Sequence, residues 1–185
     1  PELSAENVIV ESSNIGTARI AMMIGADRQR EFLSTLGLLL ETPVEVVEAS
    51  TGDPLLPANW SEISTMTISY GHGLSSSPVH LATAYASLLN GGYRVEPTIV
   101  RQDGPRHGPR VVSEQVSVAA RDMLRAVVVR GTASFGDVVG YSVGGKTGTA
   151  DKPRPTGGYY DDRTIATFAS VFPANDPRYV LIVTL

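Results

Sequence analysis

Hydrophobic and polar positions recur with a helical period over the first two-thirds of the chain and with a strand period over the last third. Residues 4–11, "SAENVIVE", predict a short helix capped by Ser4. "SSN" at 12–14 interrupts it. The helical period resumes with Ile15, Ala18, Met22 and Met23 on one face and closes at Gly25. The next helix, "ADRQREFLSTLGL", groups Phe32, Leu33 and Leu36 opposite its charged side. Residues 41–64 carry Pro43, Gly52, Pro54 and Pro57 and predict a long loop, with Trp60 as the packing residue that pins it. Residues 65–73, "TMTISYGHG", alternate like a short strand or an extended approach to a turn. In "SSSPVHLATAYASLLNGG", Ser77 is the N-cap and Pro78 the first helical residue. Val79, Ala82, Ala86 and Leu89 form an apolar stripe, and Asn90-Gly91 ends the helix. Residues 101–110, rich in Gly, Pro and Arg, predict an exposed loop. Ser113 caps a last helix, with Val116, Ala120, Met123 or Leu124, and Val127 inward and Gly131 as its stop.

"YSVGGKTGTA", "RTIATFASVFPA" and "RYVLIVTL" predict three strands, the first two joined by the loop "DKPRPTGGYYDD" and the last two by the turn "ANDP". Short links favour antiparallel neighbours. The expected class is α+β, with a helical part over about residues 1–130 and antiparallel strands over about 141–185. No internal repeat interrupts this order.

Composition narrows the picture. A chain of 185 residues, 42% hydrophobic, suits one globular domain with a sizeable core. The net charge of −4 and the lack of a basic patch argue against nucleic-acid binding. With no cysteine there is neither a disulfide nor thiolate chemistry. No apolar run reaches the roughly 18 residues of a membrane span, and no signal-peptide pattern is visible. The first residues are "PELSAENVIV", without an initiator Met, and the last, "RYVLIVTL", read as a strand. The expectation is a piece of a longer protein, incomplete at both ends. His72, His80 and His107 have no metal-ligand spacing, so neither a metal nor a cofactor is expected.

The candidate chemistry begins at "VGGKTGTADKP", which holds one of the two lysines, Lys146. Lysine on an edge strand is an ordinary guard against aggregation. That does not explain Gly144, Gly145 and Gly148, since glycine weakens a strand unless a ligand or another backbone approaches closely. Lys146 and Gly148 share one face of the strand, Thr147 and Thr149 the other. The arrangement fits a strand edge on which a flat ligand lies, its carboxylate gripped by the ammonium and a threonine hydroxyl. "GYSVGGKT" also satisfies the phosphate-loop pattern as letters, but "GTADKPRPTGG" after it cannot open a helix. "SSN", Ser12–Asn14, is on its own an ordinary turn or cap.

Together, Ser-x-Asn between helices and Lys-Thr-Gly on a downstream strand belong to the motif set of serine β-lactamases and penicillin-binding proteins. "ESSNIGTARIA", "ISYGHGLSSSPVHLATAYASLLNGG", "GYSVGGKTGTADKP" and "DRTIATFASVFP" resemble successive blocks of a class B penicillin-binding protein, of the septal cell-division type. The resemblance covers nearly the whole chain. It implies a β-lactamase/transpeptidase-like fold and a serine D,D-transpeptidase that cross-links peptidoglycan stem peptides ending in D-Ala-D-Ala and is trapped by β-lactams. It also implies division-complex partners and a parent protein anchored in the inner membrane with this domain in the periplasm.

Roles implied by the resemblance follow position. Ser12 relays protons toward the leaving or incoming amine, while Ser13 is the variable middle residue and only packs. Asn14 hydrogen-bonds the substrate's amide and steadies the active-site lysine. Lys146 supplies positive potential and attracts the substrate carboxylate. Thr147 and Thr149 hydrogen-bond that carboxylate, with the Thr149 N–H as half of the oxyanion hole, and Gly148 keeps the strand flat. The chain departs from the pattern in one respect. Val143 and Thr149 stand three residues before its two lysines, so it contains no Ser-x-x-Lys. The expectation is a polypeptide without its nucleophile, inactive alone, with apolar surface open to artefactual dimerisation. Two alternatives remain: a non-catalytic module of the same fold that binds division partners, or a hydrolase of the D,D-carboxypeptidase or β-lactamase type. His72 reads as a turn residue. Tyr159 and Tyr160 read equally as cleft lining or surface anchors, and Asp161 and Asp162 as a solvated turn.

Overall fold

The computed structural model describes residues 2–104, 107–154 and 156–185. Six helices precede a three-stranded sheet. Helix α1 spans Ala5–Val10, α2 Asn14–Ile24, α3 Ala26–Thr35, α4 Glu62–Ser69, α5 Pro78–Leu89 and α6 Glu114–Arg130. Strands β1 (Tyr93–Val95) and β2 (His107–Arg110) form a small antiparallel pair. Strands β3 (Gly144–Pro153), β4 (Tyr159–Phe172) and β5 (Tyr179–Thr184) form the main sheet in the order β3-β4-β5, antiparallel throughout. The class is α+β, as expected. Among the described residues no helix is long and apolar enough to cross a membrane.

Serine caps set the starts of α1, α2, α4, α5 and α6, while α3 starts after Gly25. Ser4, Ser13, Ser61, Ser77 and Ser113 each accept a hydrogen bond from a backbone N–H of the turn that follows. Ser61 explains why residues 65–69 are helical although their alternation predicts a strand. Its carbonyl accepts from both the N–H and the hydroxyl of Thr65, which is 1% exposed. The cap and the buried Thr65 override the β-branched period. Ser77 forms a reciprocal capping box with His80, a buried residue whose Nε2 also reaches the Leu40 carbonyl at 2.9 Å. Inside the expected long loop, residues Val47–Gly52 form a 3₁₀ segment and Leu55 bridges to Ser75. Trp60 pins its end, donating from Nε1 to Gln29 of α3 at 3.0 Å.

Three predicted apolar faces hold only in part: Leu89 of α5 and Val127 of α6 are buried as expected, and other members of these faces are not. On α2, Ile15 and Met23 are 77% and 86% exposed, and only Ala21 is buried. The helix packs on α4 and α1 through small residues; a Cβ on Gly16 would stand 2.6 Å from the Val8 side chain. On α5 the buried positions include Thr83 and Ser87, whose hydroxyls donate to the carbonyls four residues back. Val79, Ala82 and Ala86 line an open groove facing Val180 and Ile182 of β5. On α6, Val116 points outward while Ser117, Val127 and Val128 are buried.

The central core is a seam between α1 and α6. Val10, Val127, Val128 and Ala133 are nearly fully buried, with Ile9, Ala126 and Phe168 packed against them. Burying such side chains contributes about 1.5–3 kcal/mol each relative to exposure. Helix α6 also lies along β3. Its Arg125 donates to the Val143 carbonyl at 2.8 Å and pairs with Asp137, fixing the point where β3 begins.

Candidate active site

The α1–α2 connection builds one wall. Helix α1 ends in a Schellman arrangement: Ser13 N–H donates to the Val8 carbonyl at 2.9 Å and Ser12 N–H to the Ile9 carbonyl at 3.2 Å. Ser12 occupies the left-handed position usually filled by glycine, at φ 54°, the only non-glycine residue recorded there among those described. This turn holds the Ser12 side chain out into solvent at the end of a helix. Ser13 has a definite task beyond packing: its Oγ caps α2 by accepting from Gly16 N–H at 3.2 Å. Asn14 is the exposed first residue of α2.

Strand β3 builds the other wall. It is the edge of the main sheet, and α6 backs it. The three glycines do two different things. A Cβ on Gly145 would sit 2.8 Å from the Ala169 carbonyl oxygen and 2.8 Å from the Phe168 ring, and one on Gly144 3.3 Å from the backbone of Arg125. Those two are bare so that the protein can pack against itself, not for a ligand. Gly148 has nothing within 4 Å of its Cβ position and is exposed. It alone leaves an open place on the strand.

The walls meet at one contact. Lys146 Nζ lies 2.7 Å from Ser12 Oγ and 2.9 Å from the Thr147 carbonyl oxygen, donating to both. The two side chains are 134 positions apart in sequence. Lys146 is half-buried, and that burial lowers its pKa from the usual lysine value. Thr147, next to it, has its Oγ1 3.2 Å from Thr132 Oγ1. Thr149, two residues on, is exposed. The structure thus brings Ser12, Lys146 and Thr147 together, with Gly148 and Thr149 following along the same strand.

Sequence reasoning passed over Thr132, treating Gly131 as a helix stop with nothing after it; "RGTA" following a helix end was the only signal. The sequence pattern predicts a loop over residues 151–162. The strands instead run on, β3 to Pro153 and β4 from Tyr159, with Pro153 paired with Tyr159. Tyr159, Tyr160, Asp161 and Asp162 therefore stand on β4. Tyr159 leans on His72, with ring centroids 6.4 Å apart, and His72 in turn on Tyr70 at 5.7 Å. Tyr160 lies between the guanidinium groups of Arg154 and Arg163, at 5.3 and 4.7 Å. Residues 107–110, expected in a loop, form β2. Pro105, Arg106 and Pro155 fall outside the described residues. Among the described residues no cluster of His, Asp and Glu has the makings of a metal site.

Comparison with known proteins identifies the family. The family model described as "Penicillin binding protein transpeptidase domain" matches residues 1–185. A probable peptidoglycan D,D-transpeptidase FtsI of Caulobacter vibrioides is 38% identical over 194 residues, covering 99% of this chain and 32% of that protein. The apo transpeptidase domain of Burkholderia pseudomallei penicillin-binding protein 3 superposes with a TM-score of 0.89 at 37% identity, over 99% of this chain and 56% of that one. Penicillin-binding protein 3 of Mycobacterium tuberculosis, solved with ampicillin, gives 0.87 at 33% identity, over 98% of this chain and 44% of that one. The chain thus spans about a third of the curated relative's length. The fold, the Ser-x-Asn and Lys-Thr-Gly walls and these matches agree: the chain belongs to the penicillin-binding protein transpeptidase domain family.

Proposed function

We propose that the chain is part of one transpeptidase domain of a septal peptidoglycan D,D-transpeptidase, cross-linking stem peptides during cell division. The observation that carries the reading is the Lys146–Ser12 contact at 2.7 Å, which joins the two motifs across the whole fold. In this reading a serine of a Ser-x-x-Lys motif, absent from this sequence, attacks the carbonyl of D-Ala-D-Ala and D-alanine leaves. An amine of a second stem peptide then releases the acyl group. Ser12 passes a proton to the leaving amine and takes one from the incoming amine. Lys146, held against Ser12, keeps that hydroxyl oriented and presents positive potential to the substrate carboxylate. Asn14 hydrogen-bonds the substrate amide. Thr147 and Thr149 bind the carboxylate, the Thr149 N–H serves the oxyanion, and Gly148 leaves room for the ligand. β-Lactams occupy the same place. The parent protein works on the periplasmic face of the inner membrane, beside division-complex proteins.

The test is labelling with a fluorescent penicillin followed by denaturing electrophoresis. The full-length gene product is expected to carry a covalent band that excess unlabelled ampicillin abolishes. The 185-residue chain alone is expected to carry none. An unlabelled full-length protein overturns the transpeptidase assignment; a labelled 185-residue chain overturns the assignment of the nucleophile to an absent motif.

A further inference from the structure

The turn that ends α6 touches both walls of the site. Gly131 presses against the last turn of α1, where a Cβ would stand 2.6 Å from the Val10 carbonyl oxygen. Thr132 N–H donates to that same carbonyl at 3.4 Å, two residues before Ser12. Ala133, fully buried, joins Val10, Val127 and Val128 in the core. Arg130, just before Gly131, reaches Asn7 at 3.1 Å and pairs with Glu6, both on α1. From this anchored turn the exposed Thr132 side chain reaches β3, its Oγ1 3.2 Å from Thr147 Oγ1 beside Lys146.

We propose that Thr132 is a positioning residue of the site, holding the Thr147 hydroxyl in register with the Ser12 wall and directing its proton toward the ligand. The inference rests on the transpeptidase reading above. A hydroxyl has one proton to donate and lone pairs to accept. When Thr132 donates to Thr147 Oγ1, the Thr147 proton is free for an anionic ligand, and the accepted bond strengthens the donation. When no ligand is present either oxygen can be the donor. Thr132 therefore acts through Thr147, and its backbone ties that action to the segment carrying Ser12.

The experiment compares full-length wild-type protein with Thr132→Val, which keeps the shape and loses the hydroxyl, and Thr132→Ser, which keeps the hydroxyl. The readouts are the second-order rate of acylation by fluorescent penicillin and the melting temperature. Thr132→Val is expected to acylate about ten-fold more slowly, the scale of one lost hydrogen bond. Thr132→Ser is expected within about two-fold of wild type, and both variants should melt within about 2 °C of it. Adding Thr132→Val to Thr147→Val should slow acylation no further than Thr147→Val alone. A wild-type rate in Thr132→Val overturns the proposal, as does an additive double variant. Equal losses in Val and Ser with a lowered melting temperature would make Thr132 a packing residue and overturn it too. A wild-type protein that takes no label fails the transpeptidase reading itself, and the role of Thr132 falls with it.

Discussion

Lys146 is the residue whose chemistry the fold changes most. Burial lowers its pKa, so the protonated form is the one the folded state disfavours. A base with a lowered folded pKa adds stability as pH rises through that pKa, and the gain levels off near the ordinary value of 10.5. Lys146 is half exposed, so the gain is small and the titration itself is the better readout. The chain has only two lysines, so selective ¹³Cε-lysine labelling gives two signals. The signal lost in Lys146→Arg is expected to titrate below 10.5 in the folded chain and at the usual lysine value in urea. A folded-state midpoint at or above 10.5 would contradict the burial argument. At this scale the sequence was informative about identity and silent about contact. Ser-x-Asn and Lys-Thr-Gly named the residues, but nothing local to either motif encodes the short Lys146–Ser12 approach. Thr132 went unseen because its partner lies on a different element and its own neighbours are ordinary turn residues.

Among the elements, β3 separates two uses of glycine that look alike in sequence. Gly145→Ala would drive a methyl group toward the Ala169 carbonyl and the Phe168 ring, a close contact with backbone that cannot yield cheaply. It is expected to cost about 1–3 kcal/mol, measured by urea denaturation. Gly148→Ala meets no protein atom. It should leave the urea unfolding free energy of the 185-residue chain within about 0.5 kcal/mol of wild type, while slowing penicillin acylation of the full-length protein by crowding the proposed ligand's place on the strand. Equal stability losses in the two variants would erase the distinction. Helix boundaries were largely legible here because serine caps and glycine stops are local signals, as at Ser77 and Gly131. Which face of a helix is buried was legible only in part, at Leu89 and Val127. On α5 the buried hydroxyls of Thr83 and Ser87 are satisfied by the helix's own carbonyls, so the polar side is free to turn inward. Residues 65–69 were misread for a related reason: a cap four residues upstream outweighs a short alternation.

At the scale of the molecule, Ser12 after α1 and Lys146 on β3 meet beside the α1–α6 seam. Val10 sits two residues before Ser12 and packs with Val127, Val128 and Ala133, which lead into the turn beside Thr147. Val128→Ala removes two methyl groups from a fully buried position. It is expected to cost about 1–3 kcal/mol in urea denaturation and, because it loosens one wall against the other, to broaden the Lys146 ¹³Cε signal as well. A stability loss with an unchanged Lys146 signal would show that the seam supports the fold without aligning the site. The α+β order was legible because the period changes once along the chain. How the halves close on each other was not, since that depends on a seam of small valines and alanines no different in composition from other apolar stretches.

Ser12 shows what that assembly gives up. The turn ending α1 is one where glycine would rest without strain, and a serine stands in it. Local stability is therefore exchanged for an oxygen atom at one chosen point in space: about 1–3 kcal/mol of backbone strain accompanies the hydroxyl that meets Lys146, the one assigned the proton relay in the proposed function. Selection for a hardier protein would press this position toward glycine, and selection for chemistry would hold it at serine. The residue marks the place where the two demands on the chain diverge.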